Sequence, residues 1–173
     1  IGDTAAYYSN VFANTYNVGT GGIVNLGANA TGNIGSSTGY FNKVFAQSTS
    51  ALYADLAEVY QSDTHYNPGT VVIFGGTAEV TVTDTESDTR VAGAVSTDPA
   101  YLMNGEAGSD ETHPAIALSG RVKVRTVGKV QKGDRLVSAG NGLARAAKSG
   151  EATPFNTIGR ALEHKDIENE QLL

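Results

Sequence analysis

The chain has no cysteine among its 173 residues, so neither a disulfide framework nor a Cys-ligated zinc or iron-sulfur site can form. It also lacks an excess of positive charge. Twelve Lys and Arg stand against 18 Asp and Glu, a net charge of −6, which argues against a nucleic-acid-binding surface with its clustered cations. No apolar run approaches the roughly 20 residues needed to cross a bilayer, so a soluble chain without membrane insertion is expected. The P-loop lysine and hydroxyl are missing, as is any Gly-x-Ser-x-Gly elbow. The chain begins at Ile1 without methionine, and no basic-then-apolar leader follows, which predicts a piece of something longer. Charge is scarcest at the start, where Asp3 and Lys43 are the only charged side chains before Asp55.

What occupies that charge-poor stretch is a repeat. Ile1-Gly2-Asp3-Thr4-Ala5-Ala6-Tyr7-Tyr8-Ser9-Asn10-Val11-Phe12-Ala13-Asn14 returns as Ile34-Gly35-Ser36-Ser37-Thr38-Gly39-Tyr40-Phe41-Asn42-Lys43-Val44-Phe45-Ala46-Gln47, an offset of 33 residues (34 − 1). Ile, Gly, Tyr, Val, Phe and Ala hold their places. A flexible linker has no need of aromatics at fixed positions, so a thin intertwined β-structure is the better reading. Between the copies, residues 21–27 read as a short strand closed by glycine turns. So few apolar groups cannot offset backbone ordering, which costs roughly 1 to 2 kcal/mol per residue. Such a unit must bury its apolar face against a neighbouring repeat or another chain.

The texture changes at residues 50–60, where Leu52 and Leu56 would share one face of a short helix capped by Ser50, or the segment could be an extended strand. A domain boundary is expected there, giving a shaft segment at 1–54 and a globular β-domain at 55–173. Downstream, strands are expected at 70–74, 78–83, 91–96, 115–118, 121–127, 135–138, 143–147 and 157–162, separated by glycine-rich turns. No long stretch has the 3.6-residue period of a helix, so the class is all-β.

Two halves of this domain resemble each other. Residues 68–76 lead to Val91-Ala92-Gly93-Ala94-Val95, and residues 132–140 lead to Ile158-Gly159-Arg160-Ala161-Leu162. The matched glycines are 24 residues apart in one half (93 − 69) and 26 in the other (159 − 133). A compact pseudo-twofold, barrel-like domain that hides its sheet edges is the expected result. Residues 121–127 alternate strictly. Val122, Val124 and the neighbours of Val127 should face inward, with Arg121, Lys123 and Arg125 in solvent, where they could attract an acidic glycan or phosphate or simply discourage edge-to-edge pairing.

Residues that could do chemistry do not assemble in the sequence. His65, His113 and His164 are scattered rather than spaced as metal ligands. Asp110, Glu111 and His113 sit in a Gly-rich loop without EF-hand spacing, for which a solvated loop is the default. Lys123, Lys129 or Lys132 could pair with Ser119 or Ser138 as a nucleophilic couple, but such pairs arise by chance in any Ser-rich chain. Asp98-Pro99 reads as a turn initiator. No catalytic, cofactor or metal residue is therefore assigned.

Six motifs in order carry a resemblance: Tyr53-Ala54-Asp55-Leu56-Ala57-Glu58, Pro68-Gly69-Thr70-Val71-Val72, Arg90-Val91-Ala92-Gly93-Ala94-Val95-Ser96-Thr97, Ala117-Leu118-Ser119-Gly120-Arg121-Val122, Lys132-Gly133-Asp134 and Ile158-Gly159-Arg160-Ala161-Leu162-Glu163. With them the chain resembles the C-terminal region of bacteriophage tail-fibre proteins. It is similar there to the intramolecular-chaperone autocleavage domain of phage appendages, and Ile34-Gly35-Ser36-Ser37-Thr38 looks like the repeats that precede that domain. The resemblance implies a homotrimeric virion fibre, made in the bacterial host cytoplasm and joined to other phage tail proteins. Its terminal domain would aid trimer registration and folding or form the fibre end. Self-cleavage and a tip that binds a host surface glycan through residues 101–112 are the alternatives. The Ser-Asp-x-Arg-Leu-Lys-Glu-Asn-Ile signature of the endosialidase-type chaperone is absent, so no cleavage residue is carried over.

Overall fold

A computed structural model of the chain describes Thr15 and residues 17–20, 22–23, 33–36 and 38–173. The first copy of the repeat and most of the strand expected at 21–27 lie outside the described residues. The chain divides into two compact units, Ile1–Ser48 and Thr49–Leu173.

In the first unit, the second repeat copy reverses direction where Ser36 N donates to Gly39 O (3.1 Å) and Gly39 N donates to Ser36 O (3.2 Å). Gly35 precedes the reversal with φ +90°, a conformation that side chains rarely adopt. Ile34, Gly35, Tyr40, Phe41 and Val44, which occupy repeated positions or their aromatic equivalent, line a concavity of about 520 Å³. Every described residue from 15 to 54 is exposed, including Ile34 at 84%, Val44 at 76% and Phe45 at 92%.

The second unit is built of strands alone. They are β1 (Asp55–Val59), β2 (Val71–Phe74), β3 (Val80–Thr81), β4 (Val91–Val95), β5 (Tyr101–Met103), β6 (Ala115–Gly120), β7 (Arg125–Thr126), β8 (Arg135–Gly140), β9 (Leu143–Ala146), β10 (Gly159–Arg160) and β11 (Gln171–Leu172). No helix occurs among the described residues, which are all-β as the periodicity requires. One sheet has the order β3-β2-β4-β6-β1-β5 and the other β10-β8-β9-β7-β11.

Each sheet curls until segments beyond its ladder meet. In the first, Gln61 O, just past β1, accepts from Glu79 N and Val80 N (both 3.0 Å), and Ser62 bridges Val80 of β3. In the second, Val130 and Lys165 exchange both backbone hydrogen bonds (2.9 and 2.8 Å), joining the chain after β7 to the chain after β10. Curling satisfies backbone groups that an open edge would leave unpaired.

The halves share more than a sequence rhythm. Thr70 N donates to Asn67 O (3.1 Å) and Asp134 N to Gln131 O (3.0 Å), each closing a turn whose third residue is a glycine, Gly69 at φ +79° and Gly133 at φ +97°. Gly69 N then reaches Val95 O and Gly133 N reaches Ala161 O, both at 2.8 Å. Gly93 lies opposite Val72, and Gly159 opposite Leu136.

Alternation explains the core. Val71 and Ala94 pack with Val124, Val130, Leu136, Ala144 and Ala161 from the second half, whereas Val72 and Val95 pack with Val80 and Ile116 inside the first. A strand flanked by both clusters has no polar face, hence the unbroken run Val71-Val72-Ile73. Fully burying each valine contributes about 1.5–3 kcal/mol.

One open local reading is decided and two others change. Of the helix and the extended strand open for residues 50–60, residues 55–59 take the strand as β1, because Asp55, Ala57 and Val59 are buried at a period of two. Residues 101–103, which are not among the expected strands, form β5 parallel to β1. Of the strand expected at 121–127 only β7 is laddered. Residues 121–124 keep the alternation, with Val124 buried and Arg121 and Lys123 exposed, but run between strands.

Candidate functional site

Residues 120–124 and 158–163, with Lys132, Leu136 and Leu173, enclose a groove of about 560 Å³. One wall is the run before β7. Arg121 N donates to Ala54 O (3.1 Å), and Val124 exchanges backbone hydrogen bonds with Leu173 (2.7 and 2.9 Å), so both ends of the run are fixed. The period-two pattern then turns its valines toward the core and leaves Arg121 and Lys123 outside. The other wall is the edge strand β10, where Arg160 Nη1 donates to Gly133 O (3.1 Å) of the repeated turn. Lys132, in that same turn, adds a further cation, and Glu163 is the one acidic side chain of the lining.

Several cations elsewhere in the unit are paired with carboxylates. Arg90 pairs with Asp88 (2.7 Å), Arg125 with Glu170 (2.7 Å) and Lys129 with Glu168 (3.9 Å). Lys165 is buried, its Nζ donating to the carbonyls of Gly128 (2.6 Å) and Ile167 (2.9 Å) beside the seam of the second sheet. Arg121, Lys123, Lys132 and Arg160 have no carboxylate partner among the described residues.

The most perturbed titratable groups lie elsewhere, where the loop after β3 meets β8 and β9. Arg145 forks onto Glu151 (2.8 and 2.5 Å) and also reaches Glu86 (2.7 Å). Glu151 further accepts from Ser87 Oγ (2.6 Å) and Lys148 N (2.7 Å). These donors, Arg145 foremost, hold the Glu151 carboxyl well below the usual carboxylate range, and Glu151 raises the Arg145 guanidinium in return. Asp88 is likewise held low by the Arg90 guanidinium, which outweighs burial, with help from Arg90 N and Thr83. The same loop is fastened by Ser87 N to Ser138 O (2.8 Å) and Ser138 Oγ to Thr85 O (3.0 Å). Strong shifts here mark a clamp between the halves rather than a reaction centre.

The residues singled out in the sequence do not converge. His65 faces Glu111 (3.2 Å) in solvent, His113 contacts Thr112 (2.9 Å), and His164 contacts Gln131 (3.1 Å). Among the described residues no three His, Asp or Glu side chains are placed to hold a metal ion. Ser138 is buried with its hydroxyl on backbone partners, and Ser119 is exposed on β6, so neither is coupled to a lysine. Arg125, expected in solvent beside Arg121 and Lys123, instead binds Glu170 and Thr70 (3.1 Å). Arg160 and Lys132 were not foreseen as companions of Arg121 and Lys123. The repeated Gly133 and Gly159 motifs were the available signal, because they place residues 132 and 160 at neighbouring strand ends.

Comparison with protein-family models, curated proteins and solved structures gives no match.

Proposed function

We infer that the chain is a structural segment of a virion fibre, of the phage tail-fibre or appendage kind, assembled as a homotrimer. In it, residues 1–54 contribute to a shaft and the β-domain registers the chains or terminates the fibre. The observation that carries this reading is the exposure of Ile34, Phe41, Val44 and Phe45, apolar repeat residues whose side chains stand largely in solvent. Apolar side chains at fixed repeat positions acquire a purpose only when something covers them. With two charged side chains in the first 54 residues, like-charge repulsion offers little resistance to parallel copies. A second copy of the same repeat is the natural cover, and closed rotational symmetry supplies it to every chain equally. The choice of three chains, the virion and the other tail proteins as partners rests on the motif resemblance.

Sedimentation equilibrium on the purified chain tests this reading. A mass of three chains at micromolar concentration is expected, with Phe45→Ser shifting the equilibrium toward monomer. A stable monomer overturns the proposal.

A further inference from the structure

The geometry points to a second role for the β-domain, the binding of an acidic carbohydrate in the groove between residues 120–124 and β10. Four cationic residues, Arg121, Lys123, Lys132 and Arg160, line it with a single acidic side chain, Glu163. In a chain of net charge −6 this local reversal of sign stands out, the more so because Arg90, Arg125 and Arg145 are matched to carboxylates.

Arg160, the groove cation on β10, lies directly opposite Arg135, which stands outside the lining. Like charges directly opposite each other are unfavourable in a sheet, and an anion bound on the Arg160 side lessens the repulsion. Arginine is the cation suited to this, because its planar fork accepts carboxylate or phosphate in two parallel hydrogen bonds.

Size and lining select the ligand. About 560 Å³ falls in the range of small-molecule sites, holding one or a few sugar rings. Val122, Ile158 and Leu162 supply apolar surface for the C–H faces of a pyranose between the cations. A nucleic-acid duplex, with a charge about every 1.7 Å, needs an extended basic track, and an overall acidic chain repels it. The shared chemistry is thus an anionic group, carboxylate or phosphate, carried on a sugar.

The test is titration calorimetry of the full chain at low ionic strength with three probes: trigalacturonate, a sugar phosphate (fructose 1,6-bisphosphate) and inorganic phosphate. Saturable binding of either sugar anion, at least about tenfold tighter than inorganic phosphate and weakened by added salt, is expected. Trigalacturonate alone would assign a sugar carboxylate, and fructose 1,6-bisphosphate alone a sugar phosphate. The double variant Lys123→Ala/Arg160→Ala should lose binding by about tenfold or more, while Lys148→Ala, outside the groove, should not change it. Thermal melts of both variants confirm that they are folded. Binding of inorganic phosphate as tightly as the sugars, equal losses in both variants, or no saturable binding overturns the inference.

Discussion

The two halves of the β-domain use one hydrogen-bond plan and pack it differently. In each, a glycine turn starts a strand, and a glycine-bearing strand pairs beside it. In the first half that second glycine is pressed against its neighbour: a Cβ on Gly93 would lie 2.1 Å from Ala117 O on β6. In the second half, Gly159 has nothing within 4 Å, because β10 is an edge strand with no partner on its outer side. The same contrast holds at the turns. A Cβ on Gly69 would meet Leu172 and Arg125, whereas Gly133 faces open space. One copy of the plan is therefore buried in the sheet as a packing element, and the other is left open along the groove.

Substitution at the paired glycines gives the sharpest break. Gly93→Ala must displace β6 backbone, a form of overpacking that costs about 1–3 kcal/mol or more, while Gly159→Ala should fall within about 0.5 kcal/mol of the parent in urea denaturation. Equal losses at the two positions would remove the distinction between them. The clamp between the halves comes next. The folded-state values of Glu151 and Asp88 are depressed, so their stabilisation is present above the unfolded carboxylate range near pH 4 and is lost as pH falls below it. Glu151→Gln should cost roughly 2 kcal/mol at pH 7 and flatten the decline in stability below pH 5, measured by urea midpoints across pH. Smallest is the turn comparison. Gly133→Ala pays only for its positive φ, about 1 kcal/mol, and Gly69→Ala should exceed it because Leu172 and Arg125 must also give way. Parity between those two variants would show that the C-terminal strand yields freely.

The all-β class and most strand positions were legible because turn glycines and apolar runs are local signals. The matched halves were legible too, since Gly69, Gly93, Gly133 and Gly159 mark equivalent turns and ladder positions. What escaped depended on partners distant in sequence. Residues 101–103 become a strand because β1 offers an edge beside them, which nothing in Tyr101-Leu102-Met103 declares. Arg145 is unremarkable in sequence, and only folding brings Glu86 from one half and Glu151 from the other to its guanidinium. The groove was half legible. Alternation exposed Arg121 and Lys123, but their meeting with Arg160 depends on how β10 lies beside the run before β7.

The placement of the first and last strands gives the domain a mechanical polarity. β1 is held on both sides, by β6 and β5, so tension entering at Asp55 must shear two ladders at once. β11 is an edge strand fixed to β7 by a two-residue register, so tension leaving through Leu172 peels it one bond at a time. A load applied from the repeat side would thus meet the doubly held first strand, while the C-terminal strand opens first.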